Sequence, residues 1–167
     1  MSDSTAVARV WSDFLRTRPD LPANLTYYEA FAFGSRPDSA TSLARLVLDG
    51  AKTATSEAMR VYEESGQRPP RQGDFSVVLD GNGTPVCVIE TREAGILPFN
   101  EVDDAFAYDY GEGDRTLTWW RDAMWEYYEA DFKARGWAFS PEIPLLCERF
   151  RVVFVPDERK GSADDAG

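Results

Sequence analysis

Apolar residues recur along this chain with two different periods, and the change from one to the other predicts its elements. Near the N-terminus Val7, Val10, Trp11, Phe14 and Leu15 fall three and four positions apart, the spacing that lines up side chains on one face of a helix. Asp3, Ser4 and Thr5 offer capping oxygens before the run and Pro19 ends it, so an amphipathic helix is predicted within residues 1–20, its aromatic stripe facing the core. Tyr27 to Gly34 is short and aromatic, which predicts an extended segment before the turn at Arg36-Pro37-Asp38. A second helix is predicted to run to Gly50, capped by Asp38 or Ser39. The stretch from Thr55 to Glu64 fits strand and helix equally, and Pro69 to Asp74 is a loop.

Phe75–Leu79 and Val86–Glu90 are β-rich runs flanking Asp80-Gly81-Asn82-Gly83, turn chemistry that predicts a hairpin. A turn and a short helix follow over Pro98–Ala107. Next comes a long helix, which Asp114 can cap and Gly136 can close. Leu117, Trp120, Met124 and Tyr127 or Tyr128 give it one apolar face, and Trp119, Trp125 and Phe132 widen that face, so the helix is expected to be largely buried. In the strand predicted over Leu145–Val155, Phe150, Val152 and Phe154 alternate with Arg149, Arg151 and Val153, giving one apolar face and one partly basic face. Residues 156–167 are polar and read as a disordered tail. There is no internal repeat.

Composition narrows the chemistry. A chain of 167 residues, 43% of them hydrophobic, is long enough for one good core, and a single domain over residues 1–155 is expected. No apolar run reaches the roughly 18 residues that a membrane span needs, and the N-terminus lacks a basic segment followed by an apolar one, so a cytoplasmic protein is expected. Cys87 and Cys147 lie inside apolar runs, as buried free thiols do. The chain has no histidine, which removes Ser-His-Asp and Cys-His catalysis and imidazole zinc sites; two cysteines cannot make a four-thiolate site. Acid–base work falls to Lys, Glu, Asp, Tyr or Cys, and a metal would be a hard cation held by carboxylates. The net charge of −11 argues against coating nucleic acid. Double-stranded DNA is not expected as a partner; a short RNA or a single nucleoside is.

The stretch that stands out chemically is Gly50-Ala51-Lys52-Thr53-Ala54-Thr55, where a helix stops at a glycine and a lysine follows among small hydroxyl residues. Gly50 suits the left-handed conformation that closes a helix and fixes the direction in which Lys52 leaves. A lysine so placed is a positive anchor or, if partly desolvated, a base near neutral pH; the plainer account is a basic residue beside the negative end of a helix dipole. Glu90 ends an apolar strand, where a carboxylate is exposed or paired. Around Glu112, Asp114 and Arg115, two glycines beside three charges suggest a tight loop approached by a ligand.

Taken together, these stretches resemble the ASCH domain. The resemblance spans roughly Phe31 to Val155 and rests on the lysine motif, the Gly73-Asp74 hairpin ending in Val88-Ile89-Glu90-Thr91, Glu112-Gly113-Asp114-Arg115-Thr116-Leu117 with Trp120-Arg121, and Cys147-Glu148-Arg149-Phe150. It looks most like a longer bacterial branch carrying the Glu-Gly-Asp-Arg element. The resemblance implies an α+β fold, a small PUA-like β-barrel flanked by helices, with a cleft lined by the lysine motif. Family members have been assigned RNA binding, ribonuclease action and, in a shorter branch, amide hydrolysis of acetylated cytidine.

By the same resemblance Lys52, Thr55, Glu90 and Thr116 are the candidate catalytic residues, with Lys52 and Glu90 expected to pair. Thr53, Glu112, Asp114, Arg115 and Arg121 are the candidate substrate-binding residues. Arg121 follows Arg115 by six positions, about 120° away if both were on one helix, so both reach one ligand more easily if Arg115 precedes the helix. Met124 stands where many relatives have histidine. The expected function is an RNA-directed hydrolase, a ribonuclease on single-stranded RNA, with a divalent cation such as Mg or Mn near Glu112 or Asp114 as an option. The alternatives are an amidohydrolase of acetylated cytidine or a related nucleoside, and a non-catalytic module for RNA or a nucleotide.

Overall fold

The structure, a computed structural model, describes residues 4–157; Asp3 of the predicted cap and residues 158–167 of the predicted tail lie outside the described residues. In chain order the elements are α1 (Ser4–Arg16), β1 (Ala30–Ala32), α2 (Pro37–Leu48), β2 (Ala54–Ala58), α3 (Met59–Ser65), β3 (Phe75–Leu79), β4 (Pro85–Pro98), a 3₁₀ turn (Phe99–Glu101), α4 (Asp104–Tyr110), α5 (Leu117–Arg135) and β5 (Pro144–Phe154). The five strands form one sheet in the order β1-β3-β4-β5-β2, the half-barrel of an α+β fold.

Contacts divide the chain into two compact units, which β4 and β5 each run through in turn. One comprises the described residues up to Leu48, Asp74–Glu90 and those from Arg151 on; the other comprises Asp49–Gly73 and Thr91–Phe150.

The first unit is built on the predicted hairpin. β3 and β4 pair antiparallel with Val77 opposite Val88 and Phe75 opposite Glu90. Asp80 sets the turn by accepting from the N–H groups of Asn82 at 2.9 Å and Thr84 at 3.0 Å, an acidic side chain doing locally what a backbone carbonyl would do. Every residue of β3 is buried, Ser76 included, which explains why its apolar residues do not alternate with exposed polar ones. β1 joins it in parallel, Ala30 opposite Val77. The predicted stripe of α1 is the buried one: Val7, Val10, Trp11 and Phe14 pack with Phe75, Val77 and Val88.

The second unit holds the candidate site. The ambiguous stretch resolves into both alternatives, strand β2 passing directly into α3, where Ala58 takes the extended N-cap geometry at ψ 131°. β2 pairs antiparallel with β5, placing Thr55 opposite Glu148 and Ser56 opposite Cys147. α5 ends at Gly136 as predicted, with φ 76°. Its start differs: the cap is Thr116, whose hydroxyl accepts from Trp119 N–H at 3.1 Å, while Asp114 accepts from Thr116. α2 likewise begins at Pro37, before the predicted Asp38 or Ser39 cap, because proline's fixed φ suits the first helical position.

α5 buries one stripe, Trp120, Met124, Tyr128 and Phe132, four residues apart, and leaves Trp125 and Tyr127 about two-fifths exposed. The expectation of a largely buried helix fails because Trp125 and Tyr127 lie outside this stripe. Met124 is an ordinary member of the core. The partly basic face predicted for β5 is compensated by carboxylates: Arg149 pairs with Asp109 at 2.9 Å and Glu93 at 2.7 Å, and Arg151 with Glu90 at 2.8 Å. Both cysteines are buried thiols outside any disulfide, as expected.

Candidate functional site

Lys52 is the structural centre of the second unit. It leaves α2 through Gly50, whose φ of 80° is the left-handed geometry predicted for it. It ends with its side chain only 1% exposed. Burying an ammonium is costly unless each of its three protons finds an acceptor. Nζ donates to the carbonyl of Ala54 at 2.8 Å, to the carbonyl of Tyr110 at 3.2 Å, and lies 2.8 Å from Oε2 of Glu112. It also sits 3.6 Å over the centre of the Tyr110 ring, where the negative face of the ring attracts a cation. Loss of water is the larger influence and brings the lysine down to about 8; the Glu112 carboxylate opposes it.

The carboxylate facing the lysine is therefore Glu112, not the Glu90 expected from the resemblance. Glu90 is taken up by Arg151, whose Nε and Nη2 both reach its Oε1. Glu112 arrives because α4, capped by Asp103, stops at Gly111 with φ 74°. A Cβ at Gly111 would stand 2.2 Å from the carbonyl oxygen of Ala51 and 2.6 Å from Lys52 Cα. A Cβ at Gly113 would strike the Trp119 ring at 2.1 Å. The two glycines are thus approached closely by the protein's own backbone and indole.

Beside the ion pair runs a line of hydroxyl groups. Ser56 Oγ lies 2.7 Å from the Tyr128 hydroxyl and 3.5 Å from that of Tyr110. Burial raises both phenols well above their ordinary value, so they stay protonated. Facing Thr55 across the strands, Glu148 is buried and accepts a 2.6 Å hydrogen bond from Thr91. Lys52, Glu112, Tyr110, Ser56 and Tyr128 thus form one polar cluster at the sheet edge that β2 provides, and Thr55 stands beside it on the same strand.

The other predicted residues are placed as follows. Thr53 is tied to Asp109, its N–H at 2.7 Å and its hydroxyl at 3.2 Å from that carbonyl. Thr116 divides its hydroxyl between capping α5 and donating to Asp114 at 2.6 Å, which holds Asp114 below the usual carboxylate range. Arg115 precedes the helix and stacks on Tyr108. Arg121 is exposed and lines a separate groove of about 500 Å³ with Phe99, Trp125 and Glu129, so it is not brought to the Lys52 cluster. Among the described residues no group of three acidic or thiol side chains could hold a metal ion. Glu112 faces Lys52 and Asp114 faces Thr116.

Sequence reasoning missed Tyr110, Ser56, Tyr128, Thr91 and Glu148. A signal existed for Glu148, a carboxylate inside an apolar run with one hydroxyl residue opposite it. For Tyr110 and Tyr128 there was none, since no spacing rule connects either phenol to Ser56.

The fold and this cluster define a PUA-like domain with a buried lysine at its centre. The ASCH domain model matches residues 29–154, and the chain belongs to that family. Among solved structures, an ASCH domain from Lactobacillus crispatus JV V101 is 27% identical with a TM-score of 0.85, covering 90% of this chain and 96% of that one. A protein from Enterococcus faecalis V583 is 26% identical with a TM-score of 0.84, covering 94% and 93%. The comparison with curated proteins found no match. The ASCH fold suggests RNA binding, and among the described residues no helix is long and apolar enough to cross a membrane.

Proposed function

We propose that this ASCH domain hydrolyses an uncharged acyl amide on a modified nucleoside, for which acetylated cytidine is the model substrate. The observation that carries the reading is the 2.8 Å pair between Lys52, 1% exposed, and Glu112, whose side chain keeps 19% of its surface. The lysine, with three acceptors around it, stays an ammonium and fixes the carboxylate, while the carboxylate retains a solvent-facing side.

A water against Glu112 gives up a proton to the carboxylate as its oxygen adds to the amide carbon. The charge that builds on the carbonyl oxygen is met by the hydroxyl of Thr55. When the C–N bond breaks, the proton on Glu112 passes to the departing nitrogen, giving acetate and the free amine. Thr116, catalytic according to the resemblance, acts in this scheme by holding the start of α5 behind Glu112.

Phosphodiester cleavage is supported less well. Lys52 and Arg149 are compensated by Glu112, Asp109 and Glu93, and a carboxylate at the reacting centre repels a phosphate. The test is to incubate the protein separately with acetylated cytidine and with single-stranded RNA. Acetate release that disappears in Lys52→Met and Glu112→Gln is expected. RNA fragments without acetate would restore the ribonuclease reading, and neither product would leave a binding module.

A further inference from the structure

The loop between α4 and α5 carries a cation that has no part in the hydrolytic step. Among the described residues Arg115 is the one non-glycine position with a left-handed backbone, at φ 66°, a conformation that costs energy wherever a Cβ is present. What this conformation achieves is the placement of a guanidinium. It lies 3.6 Å over the centre of the Tyr108 ring, and its Nε donates to the Tyr108 carbonyl at 2.9 Å. Tyr108 is itself 56% exposed.

These contacts fix the plane of the fork and use neither terminal nitrogen. Among the described residues no carboxylate compensates it, although the chain holds 29 acidic residues against 18 basic ones. The acidic neighbours in the loop are engaged, Glu112 with Lys52 and Asp114 with Thr116. The same turn carries the proposed base, since Arg115 N–H donates to the Glu112 carbonyl at 3.1 Å. A rigid guanidinium with two free nitrogens is matched to an acceptor with several oxygens, a phosphate above all.

We propose that Arg115, seated on Tyr108, is a phosphate subsite for the Lys52–Glu112 centre, so that the preferred substrate is a phosphorylated nucleoside or a nucleotide within single-stranded RNA. The inference rests on that centre being the hydrolytic one, but it is read out by binding, which does not depend on turnover.

Affinities are measured by calorimetry for acetylated cytidine, its 5′-monophosphate, its 3′-monophosphate and a short single-stranded RNA containing it. The protein is taken as wild type, Arg115→Gly and the charge control Lys133→Ala. Glycine accepts φ 66° without strain, so the variant keeps the loop, which an unchanged melting temperature confirms. At least one phosphorylated ligand is expected to bind ten-fold or more tightly than the nucleoside in the wild type and in Lys133→Ala, with the ratio falling to about one in Arg115→Gly. The ligand that gains most shows whether the phosphate is terminal or part of the RNA backbone. A wild-type ratio near one, or a preference that survives in Arg115→Gly, overturns the subsite. Phosphate preference without acetate release would keep the subsite and remove the hydrolase.

Discussion

Gly111 is bare because Lys52 occupies the place of its side chain. The ideal Cβ position at Gly111 lies 2.6 Å from Lys52 Cα and 2.2 Å from the Ala51 carbonyl oxygen, so the turn that delivers Glu112 is pressed directly onto the segment between α2 and β2 that delivers its partner. The ion pair is therefore made by two backbone segments meeting at a glycine, more than by the reach of two long side chains.

Gly111→Ala adds a collision to a left-handed conformation. The conformation costs about 1–2 kcal/mol and the displaced backbone about 1–3 kcal/mol more. Gly50 has the same kind of φ, 80°, but nothing within 4 Å of its missing Cβ, so Gly50→Ala carries only the first cost. Urea denaturation is expected to show Gly111→Ala clearly the less stable of the two; equal losses would mean that the close approach to Lys52 is unimportant.

Burial of Lys52 also shows in the pH dependence of stability. Its pKa falls from 10.5 to about 8 on folding, so between these values the unfolded chain binds more protons and stability rises with pH. Over pH 8 to 9, below the range where exposed tyrosines ionise, the gain is about 1 kcal/mol. Lys52→Met removes the titrating group, and its unfolding free energy is expected to lose this rise. Burial pushes the Cys147 thiol up to about 12, which removes stability over the same interval, so the lysine is read from the difference between the two curves, and a wild-type curve parallel to that of Lys52→Met would contradict the burial.

The Ser56–Tyr128 hydroxyl pair fixes β2 against α5 at 2.7 Å. Tyr128→Phe removes one buried partner and leaves the serine with only the longer 3.5 Å contact to Tyr110. A loss of about 1–2 kcal/mol is expected by thermal or chemical denaturation, together with reduced hydrogen-exchange protection of the Ala54–Ala58 strand. No loss would show that the pair is incidental.

Most of the elements were legible in the sequence, for local reasons. The stripe of α1, the hairpin around Asp80 and the stop at Gly136 each depend on residues within a few positions of one another. The extension of β4 from Thr91 to Pro98 was hidden because Thr91-Arg92-Glu93-Ala94-Gly95 is polar and interrupted by glycine, and pairing decides its conformation. The burial of α5 was overestimated because Trp125 and Tyr127 are as apolar as Trp120, and only packing separates them. At the site, Lys52 and Thr55 stood out as a motif. The identity of the carboxylate did not, since it is set by contacts such as the one from Lys52 Nζ to the Tyr110 carbonyl, 58 positions along the chain. Glu90 had a basic residue of its own in Arg151, which no spacing rule connects to it.

The sharpest measurement is the pH dependence of kcat for acetate release from acetylated cytidine, followed from pH 6.5 to 9.5. If Lys52 serves as the ammonium that holds Glu112 in place, the rate falls as pH rises through about 8, tending to ten-fold per pH unit. If the rate instead climbs through that range, the neutral amine of Lys52 is the base and Glu112 is not.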